Sequence, residues 1–119
     1  MLAQSEAPMS YEIGAKAFHD ADFDTALTEW TKSAGDGDSD SCYNIGLMYA
    51  NGSGVERDFE TAVEWFHKAG EQDHQEAEYS LGVMYQVGFG VEEDGAEAAY
   101  WYTRAAAKGN AQAQCNLAG

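Results

Sequence analysis

Apolar residues recur along this chain at helical spacing, and the pattern itself repeats. Ser41, Ile45, Met48 and Tyr49 stand at i, i+4, i+7 and i+8, one face of an α-helix, and Ala62, Trp65, Phe66 and Ala69 keep to one face in the same way. Moving 36 residues along carries Ile45-Gly46-Leu47-Met48-Tyr49 onto Leu81-Gly82-Val83-Met84-Tyr85. The same step carries Asp58, Ala62, Trp65, Phe66 and Lys68 onto Asp94, Ala98, Trp101, Tyr102 and Arg104. Ser41 falls on Ala77 and then on Ala113, with Leu117 beneath Leu81, so a further copy begins near residue 111 and runs for half a unit. The opening segment keeps the register only in its second half: Asp22, Ala26 and Lys32 precede Asp58, Ala62 and Lys68 by 36, whereas Gly14 precedes Gly46 by 32.

Each copy predicts helix, loop, helix. The chain therefore predicts an all-α fold, an α/α solenoid of stacked helix-turn-helix units at about 11–37, 38–74 and 75–110 and a half unit at 111–119. Asp22, Asp58 and Asp94 stand where second helices start and can accept from their free N–H groups; Asp94 with Glu97 has the spacing of a capping box. Lys32, Lys68 and Arg104 stand near the negative ends of those helices. Gly52, Gly54, Gly88 and Gly90 mark the turns. Gly46 and Gly82 differ: they lie inside first helices, where glycine costs about 1 kcal/mol relative to alanine, which implies a neighbouring helix in close approach. Residues 1–10 hold the one proline, Pro8, show no apolar period, and are expected to form a loosely held tail.

Composition narrows the function. At 119 residues the chain has room for one domain, and 13% aromatic residues set it apart from acidic disordered sequences. Six Lys and Arg against 21 Asp and Glu give a net charge of −15, which repels nucleic acids and anionic membranes and favours a basic partner. No run of apolar residues is long enough for a membrane span, and residues 1–10 lack the features of a signal peptide. A cytoplasmic protein is expected, or a periplasmic one if a leader has been removed ahead of Leu2.

The string Tyr43-Asn44-Ile45-Gly46-Leu47-Met48-Tyr49-Ala50-Asn51-Gly52-Ser53-Gly54-Val55, followed by Asp58, Ala62, Trp65-Phe66 and Lys68-Ala69, resembles the Sel-one-like repeat, a relative of the tetratricopeptide repeat. The resemblance covers about residues 11–119. It implies a right-handed superhelix whose first helices line a concave face, used as a protein-binding scaffold. The opening unit departs toward a plain tetratricopeptide unit, and Gly70 stands where the later copy has Ala106. Some secreted members of the family staple each unit with a disulfide between its helices. Cys42 and Cys115 do not follow that pattern, which counts against the cysteine-rich, penicillin-hydrolysing branch. They lie about two units apart, roughly 20 Å for helices stacked at about 8–10 Å, beyond the reach of a disulfide.

Other chemistry finds little support. Gly52-Ser53-Gly54 and Gly88-Phe89-Gly90 follow helices rather than strands and lack a third glycine, so they read as turns rather than phosphate cradles. The acidic strings starting at Asp20 and Asp36 begin like calcium loops but carry Thr25 or Ser41 in place of the sixth-position glycine. His19, His67 and His74 share no zinc-ligand spacing. No cofactor, metal or catalytic residue is expected.

The first helices carry a second apolar stripe, Tyr43 and Leu47 in one copy and Tyr79 and Val83 in the next, with Asn44, Ser80 and Gln86 as polar neighbours. Two readings stand side by side: packing between adjacent units, and a Tyr-lined groove for a partner segment. In the second, Glu78, Glu76, Asp40 and Asp38 form a negative rim. The half unit at 111–119 exposes an apolar edge that is either a cap or a homodimer contact. The expected function is a non-enzymatic module that binds a basic protein or peptide, in one version an immunity protein against a toxin or secreted effector. The alternative is an enzyme of the penicillin-hydrolysing type.

Overall fold

The computed structural model describes residues 6–118. Among them seven helices follow one another with no strand: α1 (Glu6–His19), α2 (Phe23–Gly35), α3 (Ser39–Asn51), α4 (Phe59–Gly70), α5 (Gln75–Val87), α6 (Gly95–Ala107) and α7 (Ala111–Ala118). Within each unit α1 packs on α2, α3 on α4 and α5 on α6; between units α2 packs on α3, α4 on α5 and α6 on α7. This is an α/α solenoid. None of the described helices is long and apolar enough to cross a membrane.

One expectation is corrected at the start. Helix α1 begins at Glu6, inside the stretch expected to be a tail, and Pro8 is its third residue, where a missing N–H costs no intrahelical bond. Residues 1–5 of that expected tail lie outside the described residues.

Capping follows the repeat. The carboxylates of Asp22, Asp58 and Asp94 accept from the N–H groups of Thr25, Thr61 and Glu97 at 3.3, 3.1 and 3.2 Å. The first helices use a separate set of caps: Asp38 on α3, His74 on α5 and Asn110 on α7. Gly52 and Gly88 end α3 and α5 in left-handed backbone at φ 71° and 81°. The opening unit lacks the glycine loop and turns instead at Ala21, φ 63°.

The glycines inside first helices do meet a neighbour. A Cβ on Gly46 would lie 2.6 Å from the Phe66 ring, and one on Gly82 would lie 2.5 Å from that of Tyr102. Gly14 stands in the same relation to Trp30, at 2.6 Å. The opening unit is therefore in spatial register with the others, the shorter α1–α2 turn having absorbed the four-residue difference. Gly70, where the later copy has Ala106, leaves room for Leu81 and Trp101, whose side chains lie 3.0 and 3.1 Å from where its Cβ would be. Ile45 and Leu81 are fully buried between units. Ile13 and Leu117, at the same position in α1 and α7, are 44% and 41% exposed because each packs on one layer of helices instead of two.

Candidate functional site

Tyr11, Tyr43 and Tyr79 take the same place on α1, α3 and α5, and Ala15, Leu47 and Val83 follow one turn later. Tyr43 is largely absorbed by packing. Its ring lies 5.7 Å from that of Phe66 and stacks on His74 at 4.8 Å. Burial raises its phenol pKa above the ordinary value. Asn44 Nδ2 donates to the Tyr11 hydroxyl at 3.4 Å, and the Tyr102 hydroxyl donates to Gln86 Oε1 at 2.6 Å. Asn44 and Gln86, expected to orient a bound segment, thus already bond to tyrosines of this chain.

The stripe is nevertheless open in its middle. Leu47, Tyr79, Ser80 and Val83 line a cavity of about 460 Å³ floored by Phe66 and Met84 and edged by Ala50, Asn51 and Phe59. Leu47 also closes a second cavity of about 230 Å³ with Ala15, Phe18, Trp30 and Asn44. The two hollows, one between α1 and α3 and one between α3 and α5, meet at Leu47. Within the stripe Tyr43 packs between units, while Leu47, Tyr79 and Val83 border open space.

A third hollow of about 360 Å³ lies where α1, the α2–α3 turn and the start of α3 come together. Tyr11, Glu12, Asp36, Asp38 and Asp40 line it, with no Lys or Arg. Asp38 Oδ2 accepts from the hydroxyls of Ser33 and Ser41 at 2.9 and 2.8 Å. Asp40 Oδ1 lies 2.8 Å from His74 Nε2, and His74 Nδ1 accepts the Ala77 N–H at 3.2 Å. That pair of bonds places the imidazole proton on Nε2, so His74 caps α5 and ties it to α3 at once. The sequence reading found no role for His74; its alignment with Asp38 and Asn110 at successive helix starts is the signal that marks it as a cap.

The family is decided by the repeat model. The Sel1 repeat model matches residues 39–74 and 75–110. The chain belongs to the Sel1 repeat family. Similar solved structures include a protective antigen of uropathogenic Escherichia coli strains that displays an SLR fold, with a TM-score of 0.87 and 31% identity over 93% of this chain. A Sel1 repeat protein from Oxalobacter formigenes matches with a TM-score of 0.83 and 30% identity over 87% of this chain. Helicobacter pylori cysteine rich protein B, at 23% identity and TM-score 0.74 over 79% of this chain and 70% of its own, shares the fold. The chain spans 25% of the first of these proteins and 43% of the second. No curated protein matches it. Sel1 repeat proteins are typically protein–protein interaction scaffolds and generally non-enzymatic.

The Sel1 frame also exposes an error in the expected rim. Glu78 is not on it: the side chain is fully buried between α5 and α6. Its Oε2 accepts from Arg104 Nε at 3.2 Å and Lys108 Nζ at 3.1 Å, while Oε1 has no hydrogen-bond partner. Asp73 joins the cluster through Arg104 Nη2 at 2.7 Å. Burial works against the charge on Arg104, but Glu78, Tyr100 and Asp73 outweigh it and raise its pKa above the ordinary value. Of the expected acids, Asp38, Asp40 and the exposed Glu76 remain available to a rim. Cys42 is buried and Cys115 exposed, both as free thiols.

Proposed function

We propose that this Sel1 repeat chain is a non-enzymatic interaction module that binds a basic protein segment along the first helices α1, α3 and α5. The observation that carries this reading is the pair of apolar hollows meeting at Leu47, flanked by the acidic hollow of Glu12, Asp36, Asp38 and Asp40. Concave apolar surface with a few placed polar groups is the usual form of a binding site, and the acids select for positive charge. An immunity or inhibitor protein that neutralises a basic toxin or effector is the version of this function best matched to the charge of −15. The fold by itself does not choose the partner.

The test is retention of partner proteins on the immobilised chain at low and high salt, beside a Leu47→Ser, Val83→Ser variant whose helicity is first checked by circular dichroism. A partner bound in the groove is retained at low salt, released at high salt, and lost by the variant. Retention that ignores both salt and the variant would place the interaction on another surface.

A further inference from the structure

The edge built by the α3–α4 and α5–α6 turns carries apolar surface that the repeat does not require. Val87 and Phe89 stand where the preceding copy has Asn51 and Ser53, and they are 53% and 46% exposed. One side of the Phe89 ring is accounted for: it stacks on Phe59 with centroids 5.0 Å apart and planes inclined by 10°. Phe59 in turn carries a cation of this chain, the Arg57 guanidinium, 5.3 Å from its centroid. The two turns fold alike, since a Cβ on Gly52 would lie 3.4 Å from Arg57 Cβ and one on Gly88 would lie 3.4 Å from Glu93 Cβ. At the place of Arg57 the later turn thus has a carboxylate, next to the residue that precedes Phe89. Glu56, Asp58, Glu60, Glu92, Glu93 and Asp94 are all exposed on these turns and helix starts, against the single Arg57. Asp58 and Asp94 cap α4 and α6; among the described residues no ion pair engages the other four.

We infer that this edge is a seat for an arginine of a partner protein. The guanidinium lies on the free side of the Phe89 ring, Glu92 and Glu93 meet its charge, and an apolar neighbour in the partner rests on Val87. The seat goes beyond the groove reading and stands without it, because it is built by the turns rather than along the first helices. Three features select the ligand. The excess of carboxylates selects a cation. The exposed ring selects a guanidinium over an ammonium: the guanidinium is planar, weakly hydrated and stacks on aromatic faces, whereas the ammonium is compact and strongly hydrated. Carboxylates beside the ring can then accept the N–H groups that a stacked guanidinium keeps free in its own plane. Arg57 on Phe59 is the same pairing made within the chain. For an exposed ring such a contact is worth about two- to fivefold in affinity.

The experiment titrates the nitrogen-15-labelled chain with three capped tetrapeptides, Gly-Arg-Leu-Gly, Gly-Lys-Leu-Gly and the citrulline analogue of the first, and follows backbone amides by NMR. The arginine peptide should shift the amides of Gly88 to Asp94 and bind about two- to fivefold tighter than the lysine peptide, and the citrulline peptide, planar but uncharged, should bind weakest. Phe89→Ser, which installs the residue of the preceding turn, should abolish the preference for arginine over lysine. Phe89→Leu should do the same while keeping an apolar contact with Phe59, which separates loss of the ring from loss of the turn. Glu92→Gln with Glu93→Gln should weaken both charged peptides and flatten their salt dependence. Equal affinity for arginine and lysine in the wild-type chain, or shifts of Gly88 to Asp94 that survive both Phe89 changes, overturns the seat. Shifts that vanish with Leu47→Ser and Val83→Ser but not with the Phe89 changes also overturn it and leave the groove reading intact. An arginine preference that depends on Phe89 upholds the seat even where partner retention ignores the groove variant, an outcome that defeats the groove reading alone.

Discussion

Gly82→Ala is the sharpest test of how these units hold together, because two known effects act on it with opposite sign. In a helix interior alanine is preferred to glycine by about 1 kcal/mol, so helix propensity alone predicts stabilisation. The new methyl would stand 2.5 Å from the Tyr102 ring, and overpacking of that kind costs about 1–3 kcal/mol. Relief by ring movement is limited: Tyr102 is buried, and its hydroxyl is held by Gln86 at 2.6 Å, a bond of about 1 kcal/mol that retreat would sacrifice. The balance is a net loss of about 1–2 kcal/mol, a fall in melting temperature of about 4–8 °C for a domain of this length. Gly95→Ala is the control. It sits in the first turn of α6 with nothing within 4 Å of its Cβ, and should melt at or above the wild-type temperature. Thermal and urea unfolding followed by circular dichroism measure both, and repeating Gly82→Ala in a Tyr102→Leu background should shrink its cost. A Gly82→Ala protein as stable as wild type would refute close approach as the reason for glycine.

Four further outcomes are expected. Glu78→Gln, which keeps shape but removes the charge facing Arg104 and Lys108, should cost about 1–2 kcal/mol in urea unfolding, discounted because both cations are about a third exposed; Glu78→Lys should leave α5 and α6 unpacked, seen as lost helicity. His74→Asn should retain the α5 cap and melt near wild type, whereas His74→Ala should lose about 1 kcal/mol. A thiol reagent should titrate one cysteine, Cys115, in the native protein and both in denaturant, since Cys42 is buried and burial raises its pKa above the ordinary value. The Thr61 N–H bond lowers the pKa of Asp58 below 3.8, so its carboxylate adds stability that is full above 3.8 and lost as pH falls through the depressed value; the gap between wild type and Asp58→Ala should therefore narrow below pH 3.8.

The fold was legible because the repeat shows the same physics several times over. Asp22, Asp58 and Asp94 cap three helices by the same bonds, and Gly46 and Gly82 each mark a contact with a ring 20 residues later. What the sequence concealed lies where one copy departs from the others. The opening unit appeared out of step because Gly14 is displaced by four residues, yet a left-handed Ala21 shortens the turn and Gly14 meets Trp30 as its counterparts meet Phe66 and Tyr102. The start of α1 was hidden because residues 6–10 carry no apolar stripe, and helix formation there needs only compatible backbone.

The site was less legible because periodicity says which residues share a face, not what covers it. Tyr43 and Tyr79 are equivalent by register, but Tyr43 is roofed by His74, while Tyr79 borders a hollow. Glu78 was placed on the rim by its polarity, although its register partner Cys42 is buried, and burial follows register. The same reasoning bears on the charge. Of the six Lys and Arg, Lys16 and Lys32 pair with Asp20 and Glu29, Arg104 and Lys108 with Asp73 and Glu78, and Arg57 and Lys68 sit on the rings of Phe59 and Trp65. None of the six lines the hollow of Glu12, Asp36, Asp38 and Asp40. The cationic partner proposed above would bind that hollow at an association rate that falls as salt screens it.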